Sequence, residues 1–250
     1  MINKTLKLIN NKFSRYFKFV FFLRYLFVIF FVASVIFLSI PHFFDYKKKE
    51  IFIKNYLLKN YGLNIQTIEN IKFRSFPLPN LTISSIVSNY YSDDKNLKIQ
   101  ELIIYPELFS IYNFSNFQSR KIKLKNNDLK INFKDIKVIK SIFNLERKII
   151  FQDLNLKITD DDNNKIIFIK KINFSNFGYK KNNIEGELFN RRFKIDLNND
   201  FSNLNFKLLD TGLSTTLDIL EKNKEGSFKG VLKGKVIKSN FYLNFIYEPQ

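Results

Sequence analysis

Apolar and polar residues alternate along most of the chain beyond residue 80, with a period of two residues. Such alternation is typical of β-strands that have one apolar and one polar face. We therefore predict a mainly β domain with about ten amphipathic strands. The candidates for the lining of one shared apolar face are Leu81, Ile83, Leu97, Ile99, Ile122, Leu124, Ile131, Phe133, Leu154, Leu156, Phe193, Ile195, Leu204, Phe206, Phe241 and Leu243.

The connections between these strands are short and rich in Asn and Asp, as at 126–128, 160–164 and 198–200. Connections of this length cannot hold a crossover helix, so successive strands are predicted to be antiparallel neighbours. Two helices are also predicted, over 47–61 and 134–145. The first ends at Gly62, a good C-terminal cap residue, and would either cover the end of the sheet, which we favour, or lie on the membrane.

A sheet with one apolar face must cover that face, and two short helices cannot cover ten strands. Two arrangements are open: the sheet folds over itself as a closed sandwich, or it curls into a groove lined by Phe, Ile and Leu. A groove of this kind would suit acyl chains, because each methylene removed from water gains about 0.8 kcal/mol. The first arrangement would make the domain a scaffold that binds protein partners, and the second would make it a lipid carrier.

An N-terminal segment without acidic residues precedes the strands. Residues 25–40 carry no charge, and Arg24 alone interrupts the apolar run that starts at residue 19. A run of about 20 apolar residues matches the hydrocarbon thickness of a bilayer, so we predict a transmembrane anchor over 19–44. The small-residue pattern of a signal-peptide cleavage site is missing, which predicts that the anchor is retained. The basic tail 1–18 predicts a cytoplasmic N-terminus.

Catalytic chemistry has little support in the composition. The chain has no Cys and one His, His42, which excludes disulfides, thiolate metal sites and catalytic pairs built on two such residues. The acidic run 160–162 lacks the Gly and the distal Glu of a calcium-binding EF-hand loop. We therefore expect no enzyme activity, no catalytic residue, no metal site and no cofactor.

The net charge of +18 comes from lysines scattered along the alternating segments rather than gathered in one patch. We interpret it as compositional bias and solvated strand faces, with some preference for anionic membrane surfaces. Nucleic acid is a possible partner for interleaved lysines and aromatic residues, but a domain held outside the cytoplasm would not meet it. The expected partners are a phospholipid or another acyl-chain lipid, the membrane and envelope proteins.

Five stretches of the sequence form a recognisable series: 57–62 (LLKNYG), 76–83 (FPLPNLTI), 96–105 (NLKIQELIIY), 106–112 (PELFSIY) and 120–131 (RKIKLKNNDLKI). They resemble the N-terminal part of AsmA-like proteins, the bacterial relatives of bridge-like lipid-transfer proteins, and the resemblance covers roughly residues 20–135. It implies an inner-membrane anchor, a periplasmic β domain over 45–250 with a hydrophobic groove, and a part in phospholipid transport or outer-membrane assembly.

Overall fold

The computed structural model describes residues 2–90, 96–135, 146–179, 181–198, 202–222 and 227–247. The chain divides into two compact units. The first consists of Met1–Phe44 with Ser75–Pro77, and the second of Asp45–Arg74 with Leu78–Gln250.

The first unit is built on helix α1, Ile2–Ser39, which a 3-10 turn continues over Ile40–Phe43. Its segment Lys18–Phe43 has a mean hydropathy of 2.5 and is long and apolar enough to cross a membrane. The side chain of Ser75 connects the segment Ser75–Pro77 to the end of the helix. Its Oγ donates to the carbonyl oxygen of Leu38 at 3.0 Å and lies 2.7 Å from His42 Nε2. The prediction of one N-terminal helix with the length of a membrane span is confirmed.

The second unit contains helix α2, Glu50–Tyr61, and a single large sheet. Short 3-10 helices lie at Ser110–Tyr112, Phe114–Asn116 and Phe133–Asp135. The strands are β1 Leu63–Thr67, β2 Asn70–Arg74, β3 Asn80–Tyr90, β4 Asn96–Pro106, β5 Ser119–Asn132, β6 Ile149–Thr159, β7 Lys165–Ser175, β8 Asn183–Leu188, β9 Arg191–Leu197, β10 Asn203–Leu208, β11 Leu213–Lys222, β12 Phe228–Val236 and β13 Ser239–Tyr247.

The sheet has 13 strands, and from β3 to β13 each strand pairs with the next one in the chain. Strands β1 and β2 both pair with β3, at opposite ends of it. The first and last strands of the path do not pair with each other, so the sheet is curled but not closed into a barrel. The predicted fold class, a mainly β chain with a curled sheet behind an apolar helix, is confirmed.

One pair of neighbours contradicts the prediction that successive strands are all antiparallel. Strands β5 and β6 run parallel, with Leu124 opposite Phe151 and Ile131 opposite Ile158. Residues 133–148 connect them, and a parallel pair needs a crossover of about a dozen residues or more. The helix predicted over 134–145 lies mostly outside the described residues, which show a 3-10 turn over Phe133–Asp135.

Helix α2 packs on the sheet instead of lying free of it. Ile53, Leu57 and Tyr61 recur at every fourth position, so they share one side of the helix, and all three are fully buried. The helix ends where predicted, because Gly62 adopts the left-handed conformation with φ 67°.

Candidate functional site

One side of the sheet carries a continuous row of directly paired residues, with one member from each strand from β3 to β13. Because paired residues lie on the same face, this row defines a single surface that we call the apolar face. All of its members are apolar except Thr215 and Gly234. The row consists of Ile83, Leu102, Leu124, Phe151, Phe174, Ile184, Ile195, Phe206, Thr215, Gly234 and Phe241.

The lining residues predicted from the sequence lie on this face with one exception. Those that are not in the row itself occupy parallel rows: Leu81 with Ile122, Leu97 with Leu156, Ile99 with Leu154, Ile131, Phe193, and Leu204 with Leu243. Phe133 is the exception. Strand β5 ends at Asn132, so Phe133 falls in the following 3-10 turn and is exposed to solvent.

The candidates predicted from the sequence lack four apolar members of the row, namely Leu102, Phe151, Phe174 and Ile184. Phe151 lies three residues before Leu154, where strict alternation would require an even spacing. A bulge at Asp153, whose φ is 55°, absorbs the extra residue and returns both side chains to one face. Ile184 lies in the short strand β8, where Gly186 occupies the next apolar position.

Burial falls steadily along the row. Ile83 is 0% exposed, Phe151 2%, Ile184 8% and Phe241 43%. The members in β9–β11 lie between these extremes. We call the part of the apolar face on β3–β6 the closed region and the part on β10–β13 the open region.

Helix α2 and the segment before β5 cover one end of the closed region. Tyr56 and Tyr61 of the helix place their hydroxyls 2.9 and 3.1 Å from Ser119 Oγ, at the start of β5. The backbone N–H of Ser119 also donates to the Tyr56 hydroxyl at 2.9 Å. Burial raises the pKa of Tyr61, and the ring of Tyr56 meets Phe117 edge-on with centroids 5.1 Å apart. These contacts make the closed region part of a packed core.

In the open region, glycines lie opposite aromatic residues. Gly230 pairs with Phe245 and Gly234 pairs with Phe241, and in both cases the ring occupies the space where a Cβ of the glycine would lie. The rings therefore lie across the neighbouring strand instead of standing away from the sheet. In this arrangement the apolar side chains of β12 and β13 lie close to the sheet and are accessible.

A polar side chain interrupts the closed region. Asn127 of β5 is fully buried between Ile99 and Leu154, and among the described residues neither its amide nitrogen nor its oxygen has a hydrogen-bond partner. A buried amide without a partner costs about 1–3 kcal/mol.

The opposite face of the sheet carries charged side chains on β4 and β5, beside the buried Ile103. On β5 it carries Lys121, Lys123 and Lys125, and Lys125 Nζ lies 3.0 Å from Glu101 Oε2. Burial, together with the neighbouring charge of Lys125, lowers the pKa of Lys123. Among the described residues, no group of three or more His, Asp or Glu side chains is arranged to hold a metal ion.

The apolar face is thus a surface for apolar contact. Its open region could hold a flexible hydrocarbon without directional bonds. Comparison with family models and with characterised proteins gives no match for this sequence.

Proposed function

We propose that this protein binds acyl chains of lipids on the open region of its apolar face and takes part in moving phospholipid through a bacterial envelope. The single observation that supports this most is the change in burial along the row of the apolar face. Ile83 of this row is buried in the core and Phe241 is accessible, although both side chains are apolar.

The dimensions of the open region agree with this ligand. Four adjacent strands span roughly 14 Å across the sheet, and the nine residues of β12 extend about 30 Å along it. One leaflet of a bilayer contributes about 15 Å of hydrocarbon. An acyl chain can therefore lie along or across the open region, where each buried methylene contributes about 0.8 kcal/mol.

The proposed location follows from helix α1 and from the resemblance to AsmA-like proteins. The apolar segment Lys18–Phe43 would hold the chain in the inner membrane as a single pass. The lysines and arginines before it favour a cytoplasmic N-terminus, which would put the sheet in the periplasm.

The test uses full-length protein purified in a mild detergent, with mass spectrometry of the lipid that accompanies it. Phe241→Glu puts a charge on the open region, while Tyr242→Glu puts the same charge on the opposite face of β13. We expect the wild type and Tyr242→Glu to retain phospholipid and Phe241→Glu to lose most of it. Equal retention by the two variants, or wild-type protein without lipid, would contradict the proposal.

The exposed edge of the sheet supports a second candidate, a scaffold that binds envelope proteins by strand addition. Strand β13 ends the sheet, and Ser239–Tyr247 contains no charged residue and no proline. Sheet edges are usually protected by such residues, and an unprotected edge can accept a partner strand. If this is the function, Asn240→Lys with Asn244→Lys abolishes cross-linking of β13 to a partner protein while bound lipid is unchanged.

A further inference from the structure

A pocket lies away from the apolar face, where strands β4 and β5 meet the start of β6. It is a pocket of about 270 Å³ whose polar lining is Arg120, Lys121 and Lys148, beside the rings of Tyr105 and Phe177. Lys121 of β5 pairs with Tyr105 of β4, and the two alternate with Ile122 and Ile104, which point to the apolar face. Successive residues of a strand point to opposite sides, so Lys121 and Tyr105 place the pocket on the other face.

Three positive charges share this pocket without a compensating carboxylate. No Asp or Glu lines it, and among the described residues none of the three cations forms an ion pair. Like charges repel each other, and an anion bound between these three cations would remove that repulsion.

Aromatic rings hold the two lysines in place. Lys121 Nζ lies 4.7 Å from the ring centroid of Tyr105 and 6.0 Å from that of Phe177, and Lys148 Nζ lies 5.7 Å from the same Phe177 ring. Cation–π contacts of this kind fix a lysine head without neutralising it. The charges are therefore positioned in advance for an anionic ligand.

The rim of the pocket is apolar and exposed. Leu78 and Leu108 line it, and Phe109 follows Leu108 in the chain with its side chain also in solvent. Basic residues next to exposed apolar side chains are the combination that binds a membrane surface: the cations meet phosphates, and the apolar side chains enter the region below them.

We propose that this pocket binds the phosphodiester of an anionic phospholipid headgroup at the bilayer surface. The planar guanidinium of Arg120 can donate two parallel hydrogen bonds to phosphate oxygens, and the two lysines act as positioned point charges. The site is separate from the open region that would hold acyl chains, so either one can exist without the other.

The experiment compares three ligands of full-length protein in a non-ionic detergent by native mass spectrometry. They are phosphatidylglycerol, a diacylglycerol with the same acyl chains, and glycerophosphoglycerol, which has the headgroup and no chains. The test variant combines Arg120→Gln, Lys121→Gln and Lys148→Gln. Its control combines Lys98→Gln, Lys207→Gln and Lys235→Gln, which removes the same charge from exposed strand positions outside the pocket.

We expect the wild type and the control to prefer phosphatidylglycerol over diacylglycerol by about tenfold or more, and the pocket variant to lose that preference. Phe241→Glu would weaken the binding of both lipids equally and keep the ratio of their affinities, which separates this site from the acyl-chain site.

Equal binding of the two lipids by the wild type, or an unchanged ratio in the pocket variant, overturns the headgroup site alone. Binding of glycerophosphoglycerol as tight as that of phosphatidylglycerol would identify a soluble phosphodiester as the ligand and overturn the membrane assignment. Failure of all three ligands to bind would overturn both sites.

Discussion

The closed and open regions are built from the same kind of strand, yet one is core and the other is surface. In the closed region Leu124 is fully buried, while in the open region Leu243 is more than half exposed, although both face the same side of the sheet. Alternation therefore determines which residues share a face. It does not determine whether that face is covered.

The difference comes from what the chain supplies next to each region. Helix α2 and the aromatic residues of Phe114–Asn116 and Phe117 precede β5 and pack at that end of the sheet. From β7 onward, the described residues form only strands and the turns between them. No helix among these described residues covers the open region.

The largest expected contrast is between matched leucines in the two regions. Leu124→Ala leaves a cavity in packed surroundings and should lower the free energy of unfolding by about 2–5 kcal/mol. Leu243→Ala removes a half-exposed side chain and should cost about 1 kcal/mol or less. Denaturant unfolding of the two full-length variants in detergent measures the contrast, and equal losses would show that the open region is packed after all.

Loss of the hydrogen bonds at Ser119 should have the next largest effect. Ser119→Ala removes the Oγ that forms hydrogen bonds with the buried hydroxyls of Tyr56 and Tyr61, and should destabilise the protein by about 1–3 kcal/mol. The exposed Ser84 on β3 provides the control, because Ser84→Ala should change stability by no more than about 0.5 kcal/mol. An equally small effect at Ser119 would mean that α2 does not hold the closed region shut.

Asn127 provides a substitution that we expect to stabilise the protein rather than destabilise it. Asn127→Leu replaces an unpartnered buried amide with an apolar side chain between Ile99 and Leu154, and should raise the free energy of unfolding by about 1–2 kcal/mol. Asn155→Leu is the control, because Asn155 donates to Asp128 at 2.9 Å and should gain nothing. Destabilisation by Asn127→Leu would show that its amide has a partner in solution.

The smallest expected effect is on the pH dependence of the unfolding free energy, and it arises from Tyr61 of helix α2, which covers one end of the closed region. Burial raises the pKa of Tyr61, so the folded state holds its proton more tightly than the unfolded state does. Its contribution is complete below about pH 10, the ordinary tyrosine value, and is lost as pH rises above it. Tyr61→Phe should flatten the decline in unfolding free energy above pH 10, although Tyr46, whose pKa burial also raises, keeps part of it.

Tyr242→Phe is the matched control, because it leaves the buried Tyr46, Tyr56 and Tyr61 in place. A decline in stability as steep in Tyr61→Phe as in the wild type would contradict the burial of the Tyr61 hydroxyl.

The strands and their shared face could be predicted because period-two alternation is a local property. Leu204, Phe206 and Leu243 fall on the apolar face for that reason alone. The bulge at Asp153 was not predicted, because one extra residue reads as the end of a strand in a pattern of fixed period. Phe133 was misplaced for the converse reason, since the alternation of β5 continues one residue beyond the strand itself.

The parallel pairing of β5 with β6 and the cover of the closed region depend on contacts between distant residues. Ser119 meets Tyr56 and Tyr61, which are separated from it by 63 and 58 positions in the chain. Nothing in the pattern around any one of these residues indicates the other two. The sequence therefore predicted an apolar face and left both a closed sandwich and an open groove as possibilities.

The most direct test of the central claim uses the absence of tryptophan from this chain. Phe206→Trp places a single tryptophan on the open region, and Tyr242→Trp places one on the opposite face of β13. Phospholipid brominated along its acyl chains, added to full-length protein in detergent, should quench the tryptophan at 206 strongly and the one at 242 weakly. Equal quenching at the two positions, or no quenching at 206, would contradict the binding of acyl chains on the open region.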